Sequence, residues 1–167
     1  NEKKEDCQNI ALNQTYDANP AASDALYAFD GDNYNSVWHP RVYDNCWISV
    51  VFDSPSKVDS LTFFYTASPG NTTTQEIYTT DDGSNWTLYE TVNLVLKTHD
   101  GVNTDSVSHV FSSPINSTRG IKVLTTKNSS WTQWGEIQVW GNEKKEDCQN
   151  IALNQSYDAN PAASDAL

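Results

Sequence analysis

Short runs of β-branched and aromatic residues, each bounded by polar turn-forming residues, recur along the chain. They occupy Cys46–Phe52, Val58–Thr66, Glu76–Thr80, Trp86–Val92, Ser106–Phe111, Gly120–Thr126 and Glu136–Trp140. Runs of this length and composition read as strands. Asp82-Gly83, set between Ile77-Tyr78 and Trp86-Leu88, predicts a hairpin turn, because glycine accepts the positive φ such turns require. No stretch has the spacing of a long amphipathic helix. A helical turn fits Ala21–Phe29, but Gly31 and the Asn/Asp cluster after it would end any helix, so an ordered loop is expected there. Evenly spaced strands predict an all-β, antiparallel sandwich or jelly roll.

The chain also repeats itself. Asn1–Leu26 recurs as Asn142–Leu167 with only Thr15 replaced by Ser156. Residues 1–141 therefore form one full repeat, and residues 142–167 read as the truncated start of the next. Either copy could fill the same place in a fold, but only one can do so in a single domain, and the first is expected there. The other is left to lie free, pack on the surface or complete a neighbouring chain. The charged run Asn-Glu-Lys-Lys-Glu-Asp opening each copy reads as a solvated linker between beads.

Charge narrows the partners. Ten basic residues against twenty-two acidic ones give a net charge of −12. Such a surface repels a phosphate backbone or an anionic membrane, so nucleic acid is not expected as a partner. It would suit a cationic ligand such as a de-acetylated amino sugar. No run approaches the roughly 20 apolar residues of a membrane span, so membrane insertion is not expected. Cys7, its copy Cys148, and Cys46 give an even pair per repeat, which suggests a disulfide in an oxidising, extracellular compartment; the partner of Cys46 could be Cys7 or Cys148. N-x-S/T sequons at Asn13, Asn71, Asn85, Asn116, Asn128 and Asn154 suggest a secreted glycoprotein.

Three ordered segments carry a resemblance. They are Ala28-Phe29-Asp30-Gly31-Asp32 leading to Trp38-His39; Trp47–Phe52 with Val58-Asp59-Ser60-Leu61 and Thr80–Trp86; and Gly120–Leu124 with the closing Trp134–Gly141. Together they resemble the coagulation factor 5/8 type C, or discoidin, superfamily, which includes the family 32 carbohydrate-binding modules. The resemblance implies an eight-stranded jelly roll, with its binding loops at one end and its termini close together at the other.

Asp30 and Asp32 flank a glycine, so the backbone can turn tightly and direct oxygens at a hard cation such as Ca²⁺. An EF-hand is excluded, since Asn35 and Arg41 stand where its glycine and bidentate glutamate would be. The resemblance implies a structural calcium site held by the carbonyls of Tyr27, Asp32, Ser36 and Gly135, the Ser36 hydroxyl, and the carboxylates of Asp30 and Glu136. Asn35 is an alternative to Ser36, because the loop runs one residue longer than the commonest family spacing.

Sugars bind where aromatic faces meet planar donors and acceptors in loops. Trp38–Asn45, with His39, Arg41 and Tyr43, and Lys127–Trp134, with Asn128, Trp131 and Trp134, have that composition. Both lie at the binding end of the resembled fold. Trp47, Trp86 and Trp140 sit in strand patterns and are expected in the core, with Trp38 a buried anchor. Galactose-preferring members of the family place an arginine where this sequence reads Ala67-Ser68-Pro69-Gly70, which leaves chitosan or another polysaccharide open. His39, His99 and His109 are scattered and accompany no nucleophile motif, so catalysis is not expected. The expected function is an extracellular lectin-like module in a tandem array. The alternative is a structural or adhesive repeat whose partners are neighbouring copies of itself.

Overall fold

The computed structural model describes residues 7–68, 70, 72–95, 105–127 and 131–143; for residues 66–68, 105, 127, 131 and 143 it describes the backbone alone. The elements are β1 (Gln8–Asn9), β2 (Thr15–Asn19), a 3-10 helix (Ala22–Ala28), β3 (Cys46–Ser68), β4 (Thr72–Thr80), β5 (Thr87–Val95), β6 (Asp105–Lys127) and β7 (Trp131–Glu143). All strand pairings are antiparallel. The helix stands where a loop was expected; Ala25 and Ala28 bury one side of it in the core, and that burial holds a short turn whose local sequence would not persist alone.

Two pairs of predicted strands prove to be single long strands that bend. The runs at residues 46–52 and 58–66 both belong to β3, and those at 106–111 and 120–126 both belong to β6. The β3–β6 register slips between Val51, Ser56, Val58 and Ser60, which is where both strands turn the corner. Before that corner β3 lies between β2 and the last part of β6, which leads on to β4 and β5. Beyond it β3 lies between β7 and the first part of β6, with β1 on the far side of β7. One hydrogen-bonded ribbon thus folds over itself into a jelly roll.

Side-chain alternation follows. Ile48, Val50 and Phe52 from one layer meet Leu61, Phe63, Ile137 and Val139 from the other in one buried cluster, completed by Ile77, Ile121 and Val123. Removing this apolar surface from water, at roughly 25 cal/mol per Å², is the main force holding the layers together. Trp47, Trp86 and Trp140, expected in the core, are instead half-buried on outer faces. Strand parity explains it: Trp47 lies between buried Cys46 and Ile48, so its ring points away from the core. There Lys122 Nζ sits 5.6 Å from the Trp47 ring, 5.0 Å from Tyr78 and 4.9 Å from Trp86. Partial burial among these rings lowers the Lys122 pKa.

The corner of β6 is fixed by one hydroxyl. Thr118 Oγ1 accepts from the backbone N–H of Thr80 and Gly120, both at 3.2 Å, and lies within donating distance of the Thr80 carbonyl at 2.9 Å and the Gly120 carbonyl at 2.8 Å. The β4–β5 hairpin turns as expected, with Gly83 at φ 81 and Asp82 Oδ1 accepting from the N–H of Ser84 at 2.8 Å and of Asn85 at 2.7 Å. Those bonds hold the Asp82 carboxyl well below the usual carboxylate range.

Cys46 is buried beside Thr125 at the loop-bearing pole, whereas Cys7 is exposed next to β1, its Sγ 3.2 Å from Asp59 Oδ2. No bond joins Cys7 to Cys46, and the length of β3 from Cys46 to Asp59 separates their surroundings. Cys148 and Asn154 lie outside the described residues. β7 continues through Asn142 and Glu143, opposite Lys57 and Ser56, so the last strand runs past the 141-residue period into the segment expected as linker.

Thr118→Val keeps the shape of the corner but strands two buried N–H groups. It should lower unfolding free energy by roughly 1–3 kcal/mol in urea denaturation, with the m-value unchanged.

Candidate functional site

The loop pole is set by topology. The start of β3, the end of β6 and the start of β4 come together through the pairs Cys46↔Thr125 and Thr74↔Lys127, and the end of β3 meets the start of β7 through Ser68↔Trp131. The segment joining the 3-10 helix to β3 crosses this pole. It is anchored by Trp38 and Trp134, whose backbones exchange N–H to carbonyl bonds of 2.8 and 2.9 Å.

Below that anchor β7 carries a bulge. Phe64 pairs with Glu136 and Tyr65 with Trp134, leaving Gly135 as the extra residue. A Cβ on Gly135 would lie 2.3 Å from the Asn33 carbonyl oxygen, so only glycine lets the loop come this close. The bulge leaves Trp134, Gly135, Glu136 and Ile137 all buried in succession.

Glu136 is thereby turned inward, fully buried, beneath the 30–36 loop. Its Oε2 accepts from the Gly31 N–H at 3.2 Å, while Oε1 has no hydrogen-bond partner. Burial first, and then the negative charge of Asp30, push its carboxyl up to about 7. Asp30 Oδ2 accepts from Ser36 Oγ at 2.6 Å, and Asp30 Oδ1 from the Asp32 N–H at 2.8 Å. Asp32 in turn accepts from the N–H of Tyr34 and Asn35 and from the Asn35 amide; these bonds hold its carboxyl below the ordinary value. Ser36 therefore faces Asp30, while Asn35 serves Asp32.

Of the residues expected around a cation, Asp30, Asp32, Ser36, Gly135 and Glu136 gather at this loop, and Tyr27 lies just upstream on the 3-10 helix. Among the described residues no three His, Cys, Asp or Glu side chains form a metal-holding group. A site here would combine the Asp30 and Glu136 carboxylates with carbonyls and a hydroxyl, the donor set of a hard cation. Sequence reasoning missed Asn33, whose buried Oδ1 also lacks a partner. Its place in an Asp-rich loop was the only available clue.

The second candidate loop follows the anchor. His39 is half-buried, with Nδ1 accepting from the Arg41 N–H at 2.9 Å. Arg41 is exposed and holds φ at 61. Tyr43 is 58% exposed. Together with Pro40 and Val42, Arg41 forms one wall of an open cleft of about 360 Å³; Pro20, Ala21, Ser23 and Asp24 form the other. The Pro20–Asp24 wall was not foreseen, since nothing in its small residues signals a ligand. Trp134, expected as an exposed ring, is instead buried, its ring 5.0 Å from Tyr65 and 5.8 Å from Phe63. Its neighbour on the bulge, Gly135, draws the loop down over it. Trp131 begins β7 at the same pole, and its side chain, like Asn128, lies outside the described residues.

The model of the F5/8 type C domain matches residues 11–138. The chain belongs to the F5/8 type C domain family. No curated protein matches the sequence. Among solved structures, CpGH89CBM32-6 produced by Clostridium perfringens superposes with a TM-score of 0.59 at 19% identity, covering 81% of this chain and 100% of that one. The family 32 CBM from C. perfringens NanJ, solved in complex with galactose, gives 0.58 at 23% identity, covering 76% and 93%. Chitosan-binding module 1 from the chitosanase/glucanase of Paenibacillus sp. IK-5 gives 0.56 at 23%, covering 80% and 99%. At these identities the likeness is one of fold. In this F5/8 type C domain the matched span includes both the 30–36 loop and the cleft.

Gly135→Ala should push the Asn33 backbone off β7. Hydrogen exchange at residues 30–38 is expected to rise by more than tenfold, while the corner amides of Thr80 and Gly120 stay protected.

Proposed function

We propose that this F5/8 type C domain is an extracellular, non-catalytic carbohydrate-binding module whose loop pole is braced by a structural Ca²⁺ ion. The observation that carries the reading is where the unsatisfied groups lie. The four buried side-chain atoms without partners among the described residues are Asn33 Oδ1, Trp38 Nε1, Trp134 Nε1 and Glu136 Oε1. All sit on the two segments that the Trp38–Trp134 bridge joins. A buried polar group without a partner costs on the order of 1–3 kcal/mol, so such a concentration marks a place that receives something.

The acceptor atoms, Glu136 Oε1 and Asn33 Oδ1, support a cation. Calcium would supply the positive charge that the buried carboxylate lacks. Asp30, Glu136, the Ser36 hydroxyl and the carbonyls of Tyr27, Asp32, Ser36 and Gly135 are the residues that would hold it. With the 30–36 loop fixed, Trp38 is held in place and the loop that follows keeps its shape.

That loop supports the sugar site. Arg41 offers planar donors, Tyr43 an exposed ring and His39 a ring oriented by the Arg41 N–H, beside a cleft open to water. Arg41 and Ala21, one on each wall, hold φ at 61 and 63, a conformation costing a non-glycine residue roughly 1–2 kcal/mol. The fold neighbours include a galactose complex and a chitosan-binding module. The net charge of −12 makes the cationic amino sugar the first ligand to test. A second reading, a structural bead in an extracellular array, is favoured by the repeat of residues 1–26 at 142–167.

With calcium at 100 times its Kd the melting transition should gain about 2.7 kcal/mol over the chelated protein. Glu136→Gln should remove most of that gain, measured by calorimetry with and without a chelator; equal shifts in both proteins would exclude the site. Chitosan oligosaccharides or another glycan on an array should bind the intact protein. Arg41→Ala or His39→Ala should weaken that binding at least about tenfold, or ~1.4 kcal/mol, without lowering Tm. Absence of binding to every glycan would favour the structural bead.

A further inference from the structure

The first copy of the repeated segment fills a defined slot. β1 pairs with the end of β7 through Gln8↔Gly141 and Asn9↔Trp140, and Ile10 N–H donates to the Val139 carbonyl at 2.9 Å. Asn9 Oδ1 accepts from the Val139 N–H at 3.0 Å. β2 forms one edge of its layer, from Thr15↔Val51 to Asn19↔Trp47. Ile10, Ala11, Ala18 and Ala25 are buried, and the Tyr16 ring stacks on Phe29 at 4.9 Å. The partners on the other side of every one of these contacts belong to residues 27–143, which the chain contains once.

The donor segment it contains twice. Asn150, Ile151, Ala152, Tyr157, Ala159 and Ala166 repeat Asn9, Ile10, Ala11, Tyr16, Ala18 and Ala25. The one difference, Thr15 against Ser156, falls at an exposed position. We propose that the slot accepts either copy, so that Cys148–Leu167 exchanges with the first copy as the strand pair completing the domain.

The path of β7 makes this reachable. β7 runs on to Glu143. The register of the first copy, if carried over by the repeat, would set Gln149 opposite Gly141, Cys148 opposite Asn142 and Asp147 opposite Glu143. That exchange would leave only Lys144–Glu146 to turn the chain, and three residues is a length that closes antiparallel hairpins. The first copy must instead close a loop of nearly the whole domain, which carries the larger entropy cost. Where the displaced copy must leave, Leu26 and Tyr27 are 46% and 41% exposed, so the chain can depart into solvent without passing through the core. In an array the same exchange lets a body take the leading segment of the bead behind it or that of a separate chain, which gives a join between beads made of native contacts.

The test uses the whole 167-residue chain. Ile10→Asp with Ala11→Asp disables the first copy, Ile151→Asp with Ala152→Asp the second, and the fourfold variant both. Each double variant should keep a cooperative melt within a few degrees of the parent, and the fourfold variant should lose it. A milder series gives the same reading: Tyr16→Ala and Tyr157→Ala singly should each shift Tm by under about 3 °C, and together by about 10 °C. Collapse of the Ile10→Asp/Ala11→Asp chain equal to that of the fourfold variant, with Tyr16→Ala alone giving the full shift, would overturn the proposal. A fourfold variant as stable as the parent would overturn it equally.

Discussion

The reciprocal hydrogen bonds between Trp38 and Trp134 tie a long irregular segment to the last strand of the sandwich, and the loop pole depends on them. The first part of residues 29–45 is also held by the Gly31–Glu136 bond and by buried Phe29, but the bridge is what fixes the backbone at its midpoint. With it, the 30–36 loop is held over Glu136 on one side, and the His39–Tyr43 stretch is delivered to the pole on the other. The bulge at Gly135 makes the approach possible by removing a side chain at the point of contact. One backbone bridge and one missing Cβ therefore place both candidate sites.

Much of the fold could be read from the chain. The hydrophobic runs marked β3 to β7, though not the short β1 and β2, and Asp82-Gly83 marked the hairpin, because both signals depend on local chemistry. The merging of runs into two bent strands could not be read, since a corner that keeps its hydrogen bonds looks in sequence like any polar interruption. The outward turn of Trp47 and Trp86 was equally hidden. Whether an aromatic residue in a strand faces in or out depends on register, and these two gain their shelter from Lys122, a residue distant in sequence.

The candidate site was legible in part. Asp30, Ser36 and Glu136 were legible as a set through family resemblance, and the structure brings them to one loop. Trp134 was misjudged because a tryptophan among Ser, Thr and Gln reads as a surface ring, whereas the bulge carries it inside. The second cleft wall, Pro20–Asp24, gave no sign in the sequence. It comes from a separate element of small residues, and only tertiary packing sets it opposite Arg41.

The shortness of β1 has a mechanical meaning. Its two residues lie antiparallel to the end of β7, so both ends of the domain emerge side by side at the pole away from the cleft. A pull on those ends loads the β1–β7 bonds one after another, as in opening a zipper, and not all at once. With so few bonds to break, β1 is the first element to peel under tension, and it yields while the anchored loops at the opposite pole still bear no load.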